Sequence, residues 1–180
     1  MLGPMRAAAF LDWAAAQPAG RFELIDGYVS RVAALPPAAS RAVADASRSF
    51  AMALRRAGVA GRVFPGGGPV LVDAATVLAA DLVVGIGGAL VAGGVEPDAP
   101  QIVVEAAVAR PPLPPEARAA RYLRAPGVRH VLVVDPGARC ATWRRLSADG
   151  RVLTEDRRAG PLAFDPPGLR LMAEDLFLTR

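Results

Sequence analysis

Ala80-Asp81-Leu82-Val83-Val84 and Gln101-Ile102-Val103-Val104-Glu105-Ala106-Ala107 are the two stretches on which the reading of this chain turns. Each is a short apolar run rich in β-branched residues, with the length of a buried strand rather than of a helix. Each also carries one carboxylate among largely apolar residues. A carboxylate in such a place is costly unless it is paired, hydrogen-bonded or bound to a metal. Two of them on consecutive apolar runs predict a site that holds a cation. Thirteen residues after Glu105, Arg118 opens a helix-like stretch and can bring a positive charge to the same place.

Simpler readings stand beside this one. Asp81 could cap or hydrogen-bond a neighbouring backbone group, and Glu105 could be buried in a salt bridge to Arg118 or Arg121. Arg118 could be an ordinary solvated helix arginine.

Outward from these runs, the chain alternates helical and strand-like segments. Met5 to Ala16 has the spacing of an amphipathic helix, ended by Pro18-Ala19-Gly20. Arg21 to Ile25 and Tyr28 to Val32 read as strands, and Asp26-Gly27 between them is a two-residue hairpin signal. Ala38 to Ala57 is the longest helix expected, with Val43, Phe50 and Leu54 on its buried face and Gly58 closing it. Short strands are expected at 62–64 and 70–72, on either side of the Gly66-Gly67-Gly68-Pro69 turn. A Gly/Pro-rich loop is expected from Gly85 to Pro100, and a short helix from Glu116 to Ala125 after the prolines of 111–115. Val131 to Asp135 and Cys140 to Leu146 read as a strand pair, 150–158 as an edge strand or loop, and Leu169 to Leu178 as a short strand and a short helix. The sum is a mixed sheet flanked by helices, α/β or α+β, in one domain spanning 1–180.

Composition narrows the function classes. No apolar run reaches the ~20 residues of a membrane span, and Asp12 and Trp13 interrupt the apolar start of the chain, unlike a signal peptide. The single cysteine, Cys140, excludes an internal disulfide framework, and a cytoplasmic location is expected. All 21 basic residues are arginine, and lysine and asparagine are absent. A GC-rich coding sequence explains this, and it gives a non-functional reason for arginine where lysine would be expected. The net charge of +4 is too modest to argue for nucleic acid by itself. Arg41, Arg48 and Arg55 recur every seven residues and share one helix face, either a solvated face or a phosphate-contacting stripe. Gly85-Ile86-Gly87-Gly88 lacks the third glycine and the following helix of a dinucleotide loop. His130, the lone histidine, reads as a packing residue.

With these pieces in order, the chain resembles the Uma-two-type restriction endonuclease family of the PD-(D/E)XK nuclease superfamily, from about Phe10 to Leu176. Arg21-Phe22-Glu23-Leu24-Ile25-Asp26-Gly27 resembles the family's R-Y-E-L-I-D-G, Ala80 to Val84 its P-D-V-V-V strand, and Ile102 to Glu105 its V-V-E-V strand. Arg118 to Tyr122 has the spacing of its K-x-x-x-Y helix, and Pro126 to Asp135 resembles P-x-V-R-E-Y-x-x-V-D.

The resemblance implies a restriction-endonuclease-like fold and a divalent metal, magnesium or manganese, held by Asp81 and Glu105. It further implies DNA as substrate, Glu23 as an added acid at the site's edge, and Arg118 as the basic residue steadying phosphate or water. Cleavage of two strands would favour a homodimer. The chain departs from the family at Ala106-Ala107-Val108-Ala109-Arg110, where V-L-S-P-S is usual, and in having Arg118 for lysine. Arginine cannot be deprotonated, and its planar fork is unlike an ammonium point charge. Two functions therefore follow: a metal-dependent endonuclease, or a decayed member that binds nucleic acid or protein.

Overall fold

The computed structural model describes residues 3–87, 90–91, 94–95 and 100–178. Helix α1 (Ala7–Ala15) leads into the hairpin β1 (Phe22–Ile25) and β2 (Tyr28–Arg31), then helix α2 (Pro37–Ala57). Strands β3 (Gly61–Pro65), β4 (Pro69–Asp73), β5 (Thr76–Ala79) and β6 (Leu82–Ile86) follow, with the short pair β7 (Leu90–Val91) and β8 (Gly94–Val95). Next come β9 (Pro100–Ala106), helix α3 (Pro115–Tyr122), β10 (His130–Asp135), β11 (Cys140–Leu146) and β12 (Val152–Arg157). The chain closes with β13 (Pro161–Phe164), β14 (Leu169–Met172) and a 3-10 turn, Ala173–Phe177.

The strands form a six-stranded mixed sheet, in the order β12-β11-β10-β9-β6-β3, and a four-stranded sheet, β2-β1-β5-β4. Strands β9 and β10 are parallel, so their connection must cross over a face of the sheet, and α3 supplies that crossover. Alternation along the strands divides the core. Leu82, Val84, Ile102, Val104, Leu132 and Val134 face α2, packing with its Ala46, Phe50 and Leu54. Val83, Val103, Val131 and Val133 face the other way, against Ala119 and Tyr122 of α3. Glu105, paired in register with Val133, falls on this second face.

Local chemistry sets the element ends. Asp26 (φ 52°) and Gly27 (φ 87°) both take positive φ at the β1–β2 turn, which is why a flexible Asp-Gly pair stands there. Pro37 starts α2, and Gly58 ends it in the left-handed conformation.

The mixed α+β fold agrees with expectation, with differences in detail. Thr76–Ala79, unread in the sequence, is a strand separate from the expected Ala80 to Val84, because the chain leaves the four-stranded sheet and enters the six-stranded one at Ala80-Asp81. Asp81 therefore lies just before β6, at the junction of the sheets, and not within a strand. The expected loop from Gly85 to Pro100 contains the β7–β8 pair, while Gly88 lies outside the described residues. Residues 152–157 form an edge strand, and β13, unread in the sequence, pairs with β14. His130 packs between Trp143 and Phe164, with Nε2 2.8 Å from the Pro166 carbonyl oxygen.

Candidate functional site

The two acids meet on the α3 face of the six-stranded sheet. Leu82 is in register with Val104, and the backbone N–H of Ala106 donates to Asp81 Oδ2 at 2.9 Å, which turns the Asp81 carboxylate toward Glu105. Both are about 1% exposed. A single guanidinium spans them: Arg110 donates from Nη2 to Asp81 Oδ2 at 2.7 Å and from Nη1 to Glu105 Oε2 at 3.0 Å. Arg110 comes from the proline-flanked segment between β9 and α3 and is itself buried.

Arg118 approaches from α3. Its Nη1 donates to both oxygens of Glu23, at 2.9 and 3.1 Å, and its Nε reaches Glu105 Oε2 at 3.3 Å. Its Nη2 also contacts the Tyr122 hydroxyl and the Ala79 carbonyl. Glu23 is brought here by β1, where the face it shares with Ile25 turns toward α3. Tyr122, one helical turn after Arg118, donates its hydroxyl to Glu105 Oε1 at 2.6 Å. At the outer side, Arg21 Nη1 stands 3.6 Å from Asp81 Oδ1, a buried oxygen with no hydrogen bond. The Arg21 side chain is 37% exposed, and with Asp81, Ser40 and Gly66 it lines a cleft of about 300 Å³.

Three carboxylates thus face three guanidiniums. Burial is the main influence raising the pKa of Glu105, reinforced by Asp81, while Arg118, Arg110 and the Tyr122 hydrogen bond oppose it. Every polar side chain bonded to Glu105 is a donor, so the carboxylate is the form the site is built for. Burial opposes the charge on Arg110, but the Asp81 hydrogen bond and the field of Glu105 outweigh it. The same holds for Arg118, where burial is offset by Tyr122, Glu105 and Glu23. Burial, then the charge of Glu105, holds Tyr122 well above its usual range, so its hydroxyl stays a donor.

The expected residues Glu23, Asp81, Glu105 and Arg118 are brought together. Their roles shift, however. Arg118 is not a solvated helix residue: it is about 1% exposed and fully engaged, so it cannot reach a phosphate from this position. Glu105 does pair with Arg118, but Arg121 bonds Asp26 instead. Arg41, Arg48 and Arg55 are exposed on α2, and none of the three is in the lining of the cleft beside Asp81, to which α2 contributes Ser40, Val43 and Ala44. Arg110 and Arg21 carried no role in the sequence reading. The available signal for Arg110 was proximity: it is the first basic residue after Glu105.

A divalent ion fits the chemistry of this donor set. Asp81 and Glu105 offer hard oxygens that already converge on one cation, the Arg110 guanidinium standing in for the ion. No group of three or more His, Cys, Asp or Glu side chains gathers as a metal site among the described residues, so water and backbone would complete the shell. No helix among them is long and apolar enough to cross a membrane.

The fold has a solved counterpart. A crystal structure of a putative nuclease belonging to DUF820 from Anabaena variabilis ATCC 29413 superposes with a TM-score of 0.64 at 17% identity, covering 93% of this chain and 96% of that one. No curated protein matches the chain. Residues 7–174 match the Uma2 family, described as "Putative restriction endonuclease". Spanning nearly the whole chain, that match places this protein in the Uma2 family.

Proposed function

We propose that this protein is a nuclease that hydrolyses phosphodiester bonds in DNA with magnesium or manganese. The observation that carries the reading is the convergence of the Asp81 and Glu105 carboxylates on one cationic group, beside a cleft open to solvent. Asp81 and Glu105 would hold the ion, which when bound would lower the pKa of a water and offset charge on the phosphate. The other residues have separable tasks. Tyr122 and Arg118 fix the orientation of Glu105, and Glu23 in turn fixes Arg118. Arg21, half in solvent and next to Asp81, is the guanidinium positioned to receive a phosphate oxygen. Arg118 is thus a positioning residue rather than a phosphate clamp.

The assay is nicking of supercoiled plasmid and cutting of single-stranded DNA, with saturating manganese or magnesium and with chelator. Metal-dependent cleavage is expected from the intact protein, and Asp81→Ala and Glu105→Ala should fall to background. A second reading, a non-catalytic nucleic-acid-binding module, is favoured by the Arg110 guanidinium between the acids. It prevails if wild type and both variants leave DNA equally intact while retaining affinity.

A further inference from the structure

The guanidinium of Arg110 takes up the inner oxygens of both acids, Asp81 Oδ2 and Glu105 Oε2, at 2.7 and 3.0 Å. These oxygens belong to the two carboxylates that would hold a divalent ion. A guanidinium and an ion compete for them: the fork lies between the two buried carboxylates, and a second cation there would be repelled by it. Charge leads to the same conclusion. With Arg21, Arg110 and Arg118 facing Glu23, Asp81 and Glu105, the cluster is already balanced. Arg110 also has somewhere to go, because it stands on a short segment whose neighbours Ala109, Pro111 and Pro112 face solvent.

We infer that Arg110 is a built-in rival for the divalent cation at Asp81 and Glu105: it occupies the seat in the resting protein, and an ion enters only when Arg110 leaves. The inference rests on the proposed metal site but not on catalysis. It makes the protein a weak binder of free metal and gives the acid pair a counter-charge that keeps the fold intact without an ion. It also assigns Arg110 a role different from Arg118, which remains on Glu23 whether or not an ion is present.

Manganese alone is the probe, followed by calorimetric titration and by the rise in melting temperature, in wild type, Arg110→Gln and Arg110→Lys. Removing a fork that makes one charge-assisted hydrogen bond to each acid should tighten manganese binding by about 10- to 100-fold. Arg110→Lys, a point charge that cannot fork across both acids, should fall between the two. Adding Asp81→Asn to Arg110→Gln should abolish the gain. Should Arg110→Gln fail to fold, the comparison of wild type with Arg110→Lys still decides. Wild type binding manganese as tightly as the Arg110 variants overturns the inference, and so does an absence of binding in all of them. A variant that gains manganese but leaves plasmid intact sinks the nuclease reading and leaves the rivalry standing. Conversely, full metal-dependent cleavage by wild type with unchanged manganese affinity on substitution does the reverse.

Discussion

Replacing Arg118 by methionine is the most searching test of how this cluster is held. The change keeps a long unbranched side chain in α3 but removes the only partner that Glu23 has among the described residues. Glu23 is about 2% exposed, so water cannot take over. Removing one member of a buried ion pair leaves an uncompensated charge and costs about 3–5 kcal/mol. For a chain of this length each kcal/mol lowers the melting temperature by about 2–4 °C, so the fall should be about 6–20 °C.

Arg121→Met is the internal control. It lies three residues further along, where Arg121 pairs with an Asp26 side chain that is 65% exposed, and an exposed pair is worth about 0–1 kcal/mol. A second variant isolates the cause. If the penalty is the stranded charge, Glu23→Gln should relieve it, so the double variant should be more stable than the sum of the singles by at least about 1 kcal/mol. Urea denaturation of the five proteins, wild type included, with melting curves alongside, supplies the measurement. An Arg118→Met protein within about 1 kcal/mol of wild type, or strict additivity with Glu23→Gln, would refute the reasoning.

Two further predictions concern parts of the fold that position the acids. A Cβ built on Gly67 would lie 1.7 Å from the carbonyl oxygen of Ala80, next to Asp81, whereas one on Gly66 meets open space. Denaturation midpoints should therefore show Gly67→Ala costing about 2–5 kcal/mol, from left-handed backbone and overpacking together, against about 1–2 kcal/mol for Gly66→Ala; equal losses would contradict this packing. His130 is the lone histidine, and its pKa is lowered, chiefly by burial, from the ordinary 6.5. The unfolded chain takes up this proton first, so the stability His130 contributes is full above pH 6.5 and declines as pH falls from there toward its folded value. Proton NMR of its imidazole should give a midpoint below 6.5 in the folded protein, and a midpoint at or above 6.5 would overturn the assignment.

How much was legible beforehand follows from which physics is local. Hairpin chemistry at Asp26-Gly27, the long helix expected from Ala38 to Ala57 and closed by Gly58, and the apolar runs of β9 and β10 are written in neighbouring residues, and the structure carries them within a residue or so of their expected ends. The expected strand Ala80 to Val84 began too early and Thr76–Ala79 went unread, because hydrophobicity continues across Ala80-Asp81 while the chain changes sheets.

Local pattern sufficed for most of the strands, for the long helix, and for the presence of two acids that needed a cation. Burying a charge without a partner costs too much for that need to be ignored. Which cation answers it was decided only in three dimensions. In a chain whose 21 basic residues are all arginine, residue type alone does not separate Arg110 and Arg118 from Arg121 or from the α2 stripe. The parallel pairing of β9 and β10 carries α3 over Glu105, and the segment between them turns Arg110 inward onto both acids. Proximity of that kind is set by the path of the backbone through space, and side-chain spacing along the chain does not encode it.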